Sequence, residues 1–369
     1  MKTIVYTISV LNRGGPTFVL YNLIKNLDRN RFSPIIVTLS DEKNLSFKSE
    51  FEKLDVPIFC IQTQGWRTFV FGVRKLYYLL KQIKPDIVHA QGFRDIVMVG
   101  LFLPKHYKTC ATIHCDWMVD YRLLYGKLQG TISGWLERLA LKRIDCRIAC
   151  SKMLADILNN KYLSMHFEGV DNGVDTDKFH PVVDKTTIRR KLGLPTDKKI
   201  IIWAGSFIPR KDPLSFGQAV LQLPKNEYFV VLCGNIKAMA AQCQKLLTPA
   251  VPCLFTGHIT NIEQYFQAAD LYVSTSKSEG LPLAVLEAQF CGLVPLLSDI
   301  PQHRYILPKE QFNTCLYDNT VAGLVAKLQD CLQRDNTALL QACAVHIQHF
   351  SAKQMAQNYR KLYEHSLQK

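Results

Sequence analysis

Apolar residues along this chain fall in short, evenly spaced blocks, separated by turn-forming residues and by amphipathic stretches of helical period. Alternating or fully apolar runs predict strands at 2–10, 32–39, 57–61, 87–90, 108–114 and 146–150. Spacing of three and four residues predicts helices at 17–27, 45–54 and 69–83, and helical sequence up to 143. The alternation then resumes. Strands are predicted at 200–204, 228–233, 253–256 and 268–275, and helices at 214–223, 237–247, 262–269 and 281–291. Three further helical patterns, 321–332, 337–349 and 352–365, close the chain. Strands alternating with helices predict an α/β fold of parallel sheets covered on both faces.

Composition narrows the class. A chain of 369 residues predicts two domains of ordinary size. Its 48% hydrophobic and 21% charged content suits a soluble globular protein. No apolar run is long enough to span a bilayer, and residues 1–10 read as a strand rather than a secretory leader. The twelve cysteines show no metal spacing and read as reduced, mostly buried thiols of a cytoplasmic protein.

The net charge is +14, and residues 66–152 alone carry 15 Lys/Arg against 6 Asp/Glu. Such a surface suits an anionic partner. Two stretches interleave cations with aromatic and apolar residues. One sets Phe69, Phe71, Tyr77 and Leu80 among Arg67, Arg74, Lys75, Lys81 and Lys84. The other sets Trp117, Met118, Tyr121, Leu124 and Tyr125 before Lys127, Arg138, Lys142 and Arg143. Each fits either a helix at an anionic membrane surface or a helix on the sheet with a solvated basic rim. No nucleic-acid recognition module accompanies the charge.

The richest chemistry lies in Ser274-Thr-Ser-Lys-Ser-Glu-Gly-Leu-Pro-Leu-Ala-Val-Leu-Glu287. A strand leads into it, and a helix with Pro282 in its first turn leads out. Ligands of open α/β sheets bind at such carboxyl ends, and a helix start there attracts phosphate. Glu279 and Glu287 either complement the helix terminus or accept hydrogen bonds from hydroxyls flanking a diphosphate. Four other places carry candidates. Gly14-Gly15 after the first strand is a tight turn or a phosphate loop. His114 ends the strand 108–114. Arg210-Lys211 follows a strand–Gly205 turn, as a solvated pair or a diphosphate clamp. Asp175 and Asp177 sit in a turn-rich linker rather than at a strand end, so no metal site is assigned.

Glu-Gly-Leu-Pro-Leu-x-x-x-Glu, with Ala288, Cys291-Gly292, Val294-Pro295 and Ser298, resembles the signature of the retaining glycosyltransferases of family 4. So do Asp171-Asn-Gly-Val-Asp175-Thr-Asp-Lys-Phe179-His-Pro181, the Gly14-Gly15 loop, and Thr112-Ile-His114. The resemblance implies the GT-B fold, with two facing Rossmann-like domains and a last helix that crosses back to the first. The domains would be 1–175 on the acceptor side and 176–350 on the donor side, with 351–369 the returning helix.

It also implies residue roles. Catalysis would fall to Glu279, His114 and Lys211. Donor binding would involve Gly15, Ser206, Arg210, Lys211, Ile259, Glu279, Gly280, Leu281, Leu283 and Glu287. The family usually has arginine where this chain has Ser206. The implied reaction moves a hexose-type sugar, with retention, from a nucleotide diphosphate to a glycan or lipid-linked acceptor in bacterial surface polysaccharide synthesis. UDP is favoured over GDP, with no obligatory metal and no other cofactor. The partners are then the nucleotide sugar and the acceptor, with no nucleic acid; an anionic membrane surface at the inner face of the cytoplasmic membrane is suggested by the basic aromatic segments rather than by the resemblance. A sugar-nucleotide epimerase on a similar fold, or a binding protein without turnover, would share these motifs.

Overall fold

A computed structural model of the chain describes residues 1–42, 46–63, 68–224, 226–235 and 238–368. Leu45 and Lys237, assigned above to helices, and Arg67, named above in the first cation-rich stretch, lie outside these. The chain forms two compact units, Met1–Gly173 with Ala352–Lys369, and Val174–Ser351.

The first unit holds β1 (Lys2–Ile8), β2 (Phe32–Thr38), β3 (Ile58–Cys60), β4 (Ile87–Ala90), β5 (Thr109–Ile113), β6 (Cys146–Ala149) and β7 (Glu168–Gly169). All pair in parallel, in the order β3-β2-β1-β4-β5-β6-β7. Chain order reverses between β1 and β4, so two successive connections leave a crevice at their carboxyl ends. Ile4, Val5, Ile36, Val37, Ile87 and Val88 are fully buried, as parallel strands covered on both faces require.

The last helix, Ala352–Gln368, belongs to this first unit. Tyr359 and Tyr363, one turn apart, face the sheet. The Tyr363 hydroxyl meets Tyr6 at 3.2 Å and His89 Nδ1 at 2.7 Å. His89 Nε2 meets Thr112 Oγ1 at 2.8 Å, and that hydroxyl meets Tyr359 at 2.9 Å. Each of these polar atoms is buried and partnered, so the network specifies where the helix docks. Burial pushes the His89 ring down to a pKa of about 3, which keeps it neutral.

The second unit holds β8 (Lys199–Ala204), β9 (Tyr228–Cys233), β10 (Cys253–Gly257), β11 (Leu271–Ser274), β12 (Val294–Ser298) and β13 (Leu316–Tyr317). Its order is β10-β9-β8-β11-β12-β13, again parallel, with the reversal between β8 and β11.

Some elements differ from the sequence reading. β12 was not predicted, because Pro295 interrupts an apolar run. The strand survives because its ladder to β13 begins only at Leu297, beyond the proline. The helix Phe93–Phe102 was missed because its sequence beyond Asp95 is apolar without a polar face. Residues 95–100 of it are buried, and Gly100 lies so close to the Ala140 backbone that a methyl group would collide. The helix expected at 281–291 opens at Leu283, with Pro282 as its N-cap. Leu283 N–H bonds to Leu281 C=O at 2.9 Å, which makes a turn of the residues before it.

Candidate functional site

The second unit gathers its charged groups at the β8–β11 reversal. The loop after β8 is strapped to the loop after β11. Trp203 Nε1 donates to Thr275 Oγ1 at 3.2 Å, and Thr275 Oγ1 lies 2.8 Å from the carbonyls of Lys211 and Asp212. Lys277 N–H donates to the Arg210 carbonyl at 2.8 Å. Glycine is required at Gly234, where a Cβ would run into the Gly205 carbonyl.

These straps aim Arg210 and Lys211 at Glu279. Lys211 Nζ forms a short ion pair with Glu279 Oε1, and Arg210 Nη1 lies 3.2 Å from Oε2. Arg210 Nη1 also donates to the Ser278 carbonyl at 2.6 Å. The Glu279 side chain is 7% exposed. Burial alone would raise its pKa, but Lys211, Arg210 and a hydrogen bond from Ser276 hold it at about 2. The two cations predicted as a clamp and the glutamate predicted as a sugar ligand are therefore each other's partners.

Beneath this cluster lies His303, which the sequence reading missed. It is fully buried, with Nδ1 2.8 Å from the Ser298 carbonyl and Nε2 3.3 Å from Ser274 Oγ. Ser298 Oγ donates to the Ser276 carbonyl at 2.6 Å. Burial lowers the His303 pKa to about 4, so a neutral ring braces the ends of β11 and β12.

Among the described residues, no acceptor faces the backbone N–H groups of Gly280, Leu281 and Ala284. Two of these precede the helix Leu283–Phe290 and one lies in its first turn, so they add positive potential beside the Arg210–Lys211–Glu279 cluster. Leu281 is buried and Leu283 half-buried. Ser206 is exposed in the loop after β8, and Ile259 is half-buried just past β10, on the same sheet edge.

Glu287 differs from Glu279. It keeps some solvent contact although protein atoms surround it, and burial raises its pKa to about 8. Its nearest charges oppose one another: Lys178 lowers the pKa and Glu263 raises it. These two pair at 3.1 Å. The linker motif supplies Lys178. Asp175 turns that segment by accepting from Asp177 N–H at 3.2 Å, Phe179 is buried against Phe266, and Pro181 packs against Gly292.

In the first unit, Gly15 opens the helix Gly15–Lys25, and a Cβ there would meet nothing within 4 Å. His114 follows β5. Its Nε2 is buried without a partner, and burial lowers its pKa to about 4. The same sheet edge carries groups that the sequence reading missed. Gln91, past β4, has both amide atoms buried and unpartnered. Asp95 is fully buried, accepts from Ser9 Oγ at 3.1 Å, and is raised to about 7 by burial. No motif marks either residue. The only signal was position, since both follow the carboxyl end of a central strand.

Two parallel sheets, each reversing at its centre, define a two-domain α/β protein of GT-B architecture. Comparison with known proteins gives the family. Residues 13–178 match the Glycosyltransferase Family 4 description, and residues 184–343 match Glycosyl transferases group 1. The chain belongs to this family of glycosyltransferases and is a transferase enzyme. A UDP-Gal:alpha-D-GlcNAc-diphosphoundecaprenol alpha-1,3-galactosyltransferase of Escherichia coli is 28% identical over 267 residues, which span 69% of this chain and 66% of that protein. An alpha-monoglucosyldiacylglycerol synthase of Streptococcus pneumoniae is 24% identical over 84% of this chain and 74% of its own length. Among solved structures, Anabaena HepE in complex with UDP and glucose aligns with a TM-score of 0.80 at 15% identity, covering 99% of this chain and 100% of that one.

Proposed function

We propose that the protein transfers a hexose from UDP to a lipid-linked glycan acceptor, with retention, in the assembly of a bacterial surface polysaccharide or glycolipid. The observation that carries this reading is the convergence of Lys211 and Arg210 on the one buried carboxylate of Glu279, which immediately precedes a helix start with unpaired backbone N–H groups. The complex of HepE with UDP and the UDP-Gal substrate named for the E. coli relative support a uridine donor. That relative's diphosphoundecaprenol acceptor supports a lipid-linked one.

In this proposal the donor's diphosphate takes Lys211 and Arg210 from Glu279. The cations and the helix terminus then stabilise the charge that grows as the bond from C1 to the phosphate oxygen breaks. They supply the positive charge that a divalent metal supplies elsewhere, so no metal is obligatory. Glu279 turns to the sugar hydroxyls and Glu287 to the ribose. The acceptor hydroxyl attacks C1 from the departing side and passes its proton to a phosphate oxygen, which gives retention.

The test is turnover of UDP-galactose and UDP-glucose, against GDP-mannose, with undecaprenyl-diphosphate-linked N-acetylglucosamine in EDTA. The product's anomeric configuration would be read by NMR. An α-linked product from an α-linked uridine donor fits the proposal. An inverted product, or turnover confined to GDP-mannose, contradicts it.

A further inference from the structure

The two cation-rich aromatic segments behave differently in the structure. In the first, the helix Val73–Ile83 turns Leu76 and Leu80 inward, and its cations lie over its own aromatic rings: Arg74 over Tyr78 and Lys81 over Tyr77. This is an ordinary amphipathic helix on a sheet.

The second segment is inverted. The helix Lys127–Leu141 presents its small residues to the protein. A methyl group at Gly130 would strike the Tyr121 backbone, one at Gly134 would strike Met118, and Ala140 meets Gly100. Its large apolar residues face solvent: Leu128 is 78% exposed, Ile132 55%, Trp135 49%, Leu136 38% and Leu139 48%. Spaced at 0, 4, 7, 8 and 11, they form one continuous stripe. Leu124 and Tyr125 extend it, at 66% and 51% exposed. A stripe of this kind marks an interaction surface.

Charge indicates what covers it. Residues 121–143 hold five cations and one acid. The acid, Glu137, is buried and accepts from Tyr121 Oη at 2.5 Å. Arg122, Lys127, Lys142 and Arg143 are exposed around the stripe, with no exposed carboxylate among residues 121–143. A second copy meeting this face about a two-fold axis would set like charges against each other. A bilayer with anionic headgroups accepts both the apolar stripe and the cationic rim, with Trp135 and Tyr125 at the interfacial depth such rings prefer.

We infer that the outer face of the helix Lys127–Leu141 is a membrane-docking surface, which lies in the headgroup region of an anionic leaflet. The inference rests on the proposed lipid-linked acceptor only in choosing a bilayer over a protein surface.

The full chain is tested by sedimentation with vesicles of phosphatidylcholine containing about 30% phosphatidylglycerol, and with phosphatidylcholine alone. The wild type binds the anionic vesicles, and more weakly as salt rises. Ile132→Glu with Leu139→Glu lowers that affinity by about tenfold or more. Lys127→Glu, Lys142→Glu and Arg143→Glu together remove the preference for anionic lipid. UDP binding and the melting temperature, unchanged in both sets, show that the fold and the donor site are intact. Because both sets lie on the surface, one remains informative if the other misfolds. Wild-type binding to neither vesicle overturns the inference, as does undiminished binding by the Ile132/Leu139 variant. So does a stable wild-type dimer that this variant dissociates without any vesicle binding. Vesicle binding without UDP binding would leave the docking face standing and remove the donor reading.

Discussion

Glu279 and Glu287 lie eight residues apart, one before a helix and one inside it, and their surroundings drive them in opposite directions. Glu279 is buried against two cations and held at about 2. Glu287 is buried between one cation and another carboxylate and raised to about 8. Burial raises both; the neighbours decide the sign. Glu279 is thus a fixed negative charge whose cations a diphosphate can claim. Glu287 keeps its proton at neutral pH, and a partner that wants a full acceptor, such as a ribose diol, must draw that proton off.

Lys211→Ala attacks the first environment most directly. It removes the closest cation from Glu279 and, on the proposed function, from the leaving diphosphate. We expect kcat/KM to fall by about 10²–10³, the scale for losing one transition-state charge partner. Steady-state kinetics with the donor varied would show it. Glu279→Gln separates sugar from phosphate. Turnover falls by about 10–100-fold, the scale of one or two lost charge-assisted hydrogen bonds, while UDP binds at least as tightly because Lys211 and Arg210 are released. Calorimetry with UDP beside turnover assays distinguishes the two effects.

Glu287→Gln breaks the second environment, with a smaller effect on function. UDP affinity drops about tenfold, one hydrogen bond to a charged group. Stability moves the other way. The folded pKa is about 8 against the ordinary 4.5, so as pH rises from 4.5 the unfolded chain loses a proton that the folded chain keeps. Wild-type stability therefore declines across that window. The melting temperature of Glu287→Gln should exceed the wild type's by more at pH 8.5 than at pH 5, as scanning calorimetry would show. Ser206→Arg sharpens the comparison least. It adds a cation to the phosphate side and should tighten UDP binding a few-fold, the scale of an exposed ion pair.

Much of this was legible in sequence because it is local. Strand and helix alternation gave the parallel sheets, and one contiguous stretch held both glutamates. What escaped depends on contacts between distant residues or on burial. Arg210, Lys211 and Glu279 were each named, but nothing local says that residues 68 positions apart pair with one another. His303 works through strand ends on both sides of it, and Gln91 and Asp95 acquire meaning only at a sheet edge. The helix Lys127–Leu141 shows apolar residues and cations in sequence. Only packing reveals that the glycines face inward and the large residues outward. Pro295 concealed β12 because the extent of a neighbouring ladder is not written in the strand itself.

The central claim is that the edge formed by Lys211, Arg210, Glu279 and Glu287 holds a uridine diphosphate. Titrating UDP and GDP into the purified wild type and into Lys211→Ala tests it most directly. The account predicts tighter binding of UDP than GDP, and marked weakening in the variant with its melting transition retained. UDP binding that is absent, or that Lys211→Ala leaves unchanged in a folded protein, would contradict it.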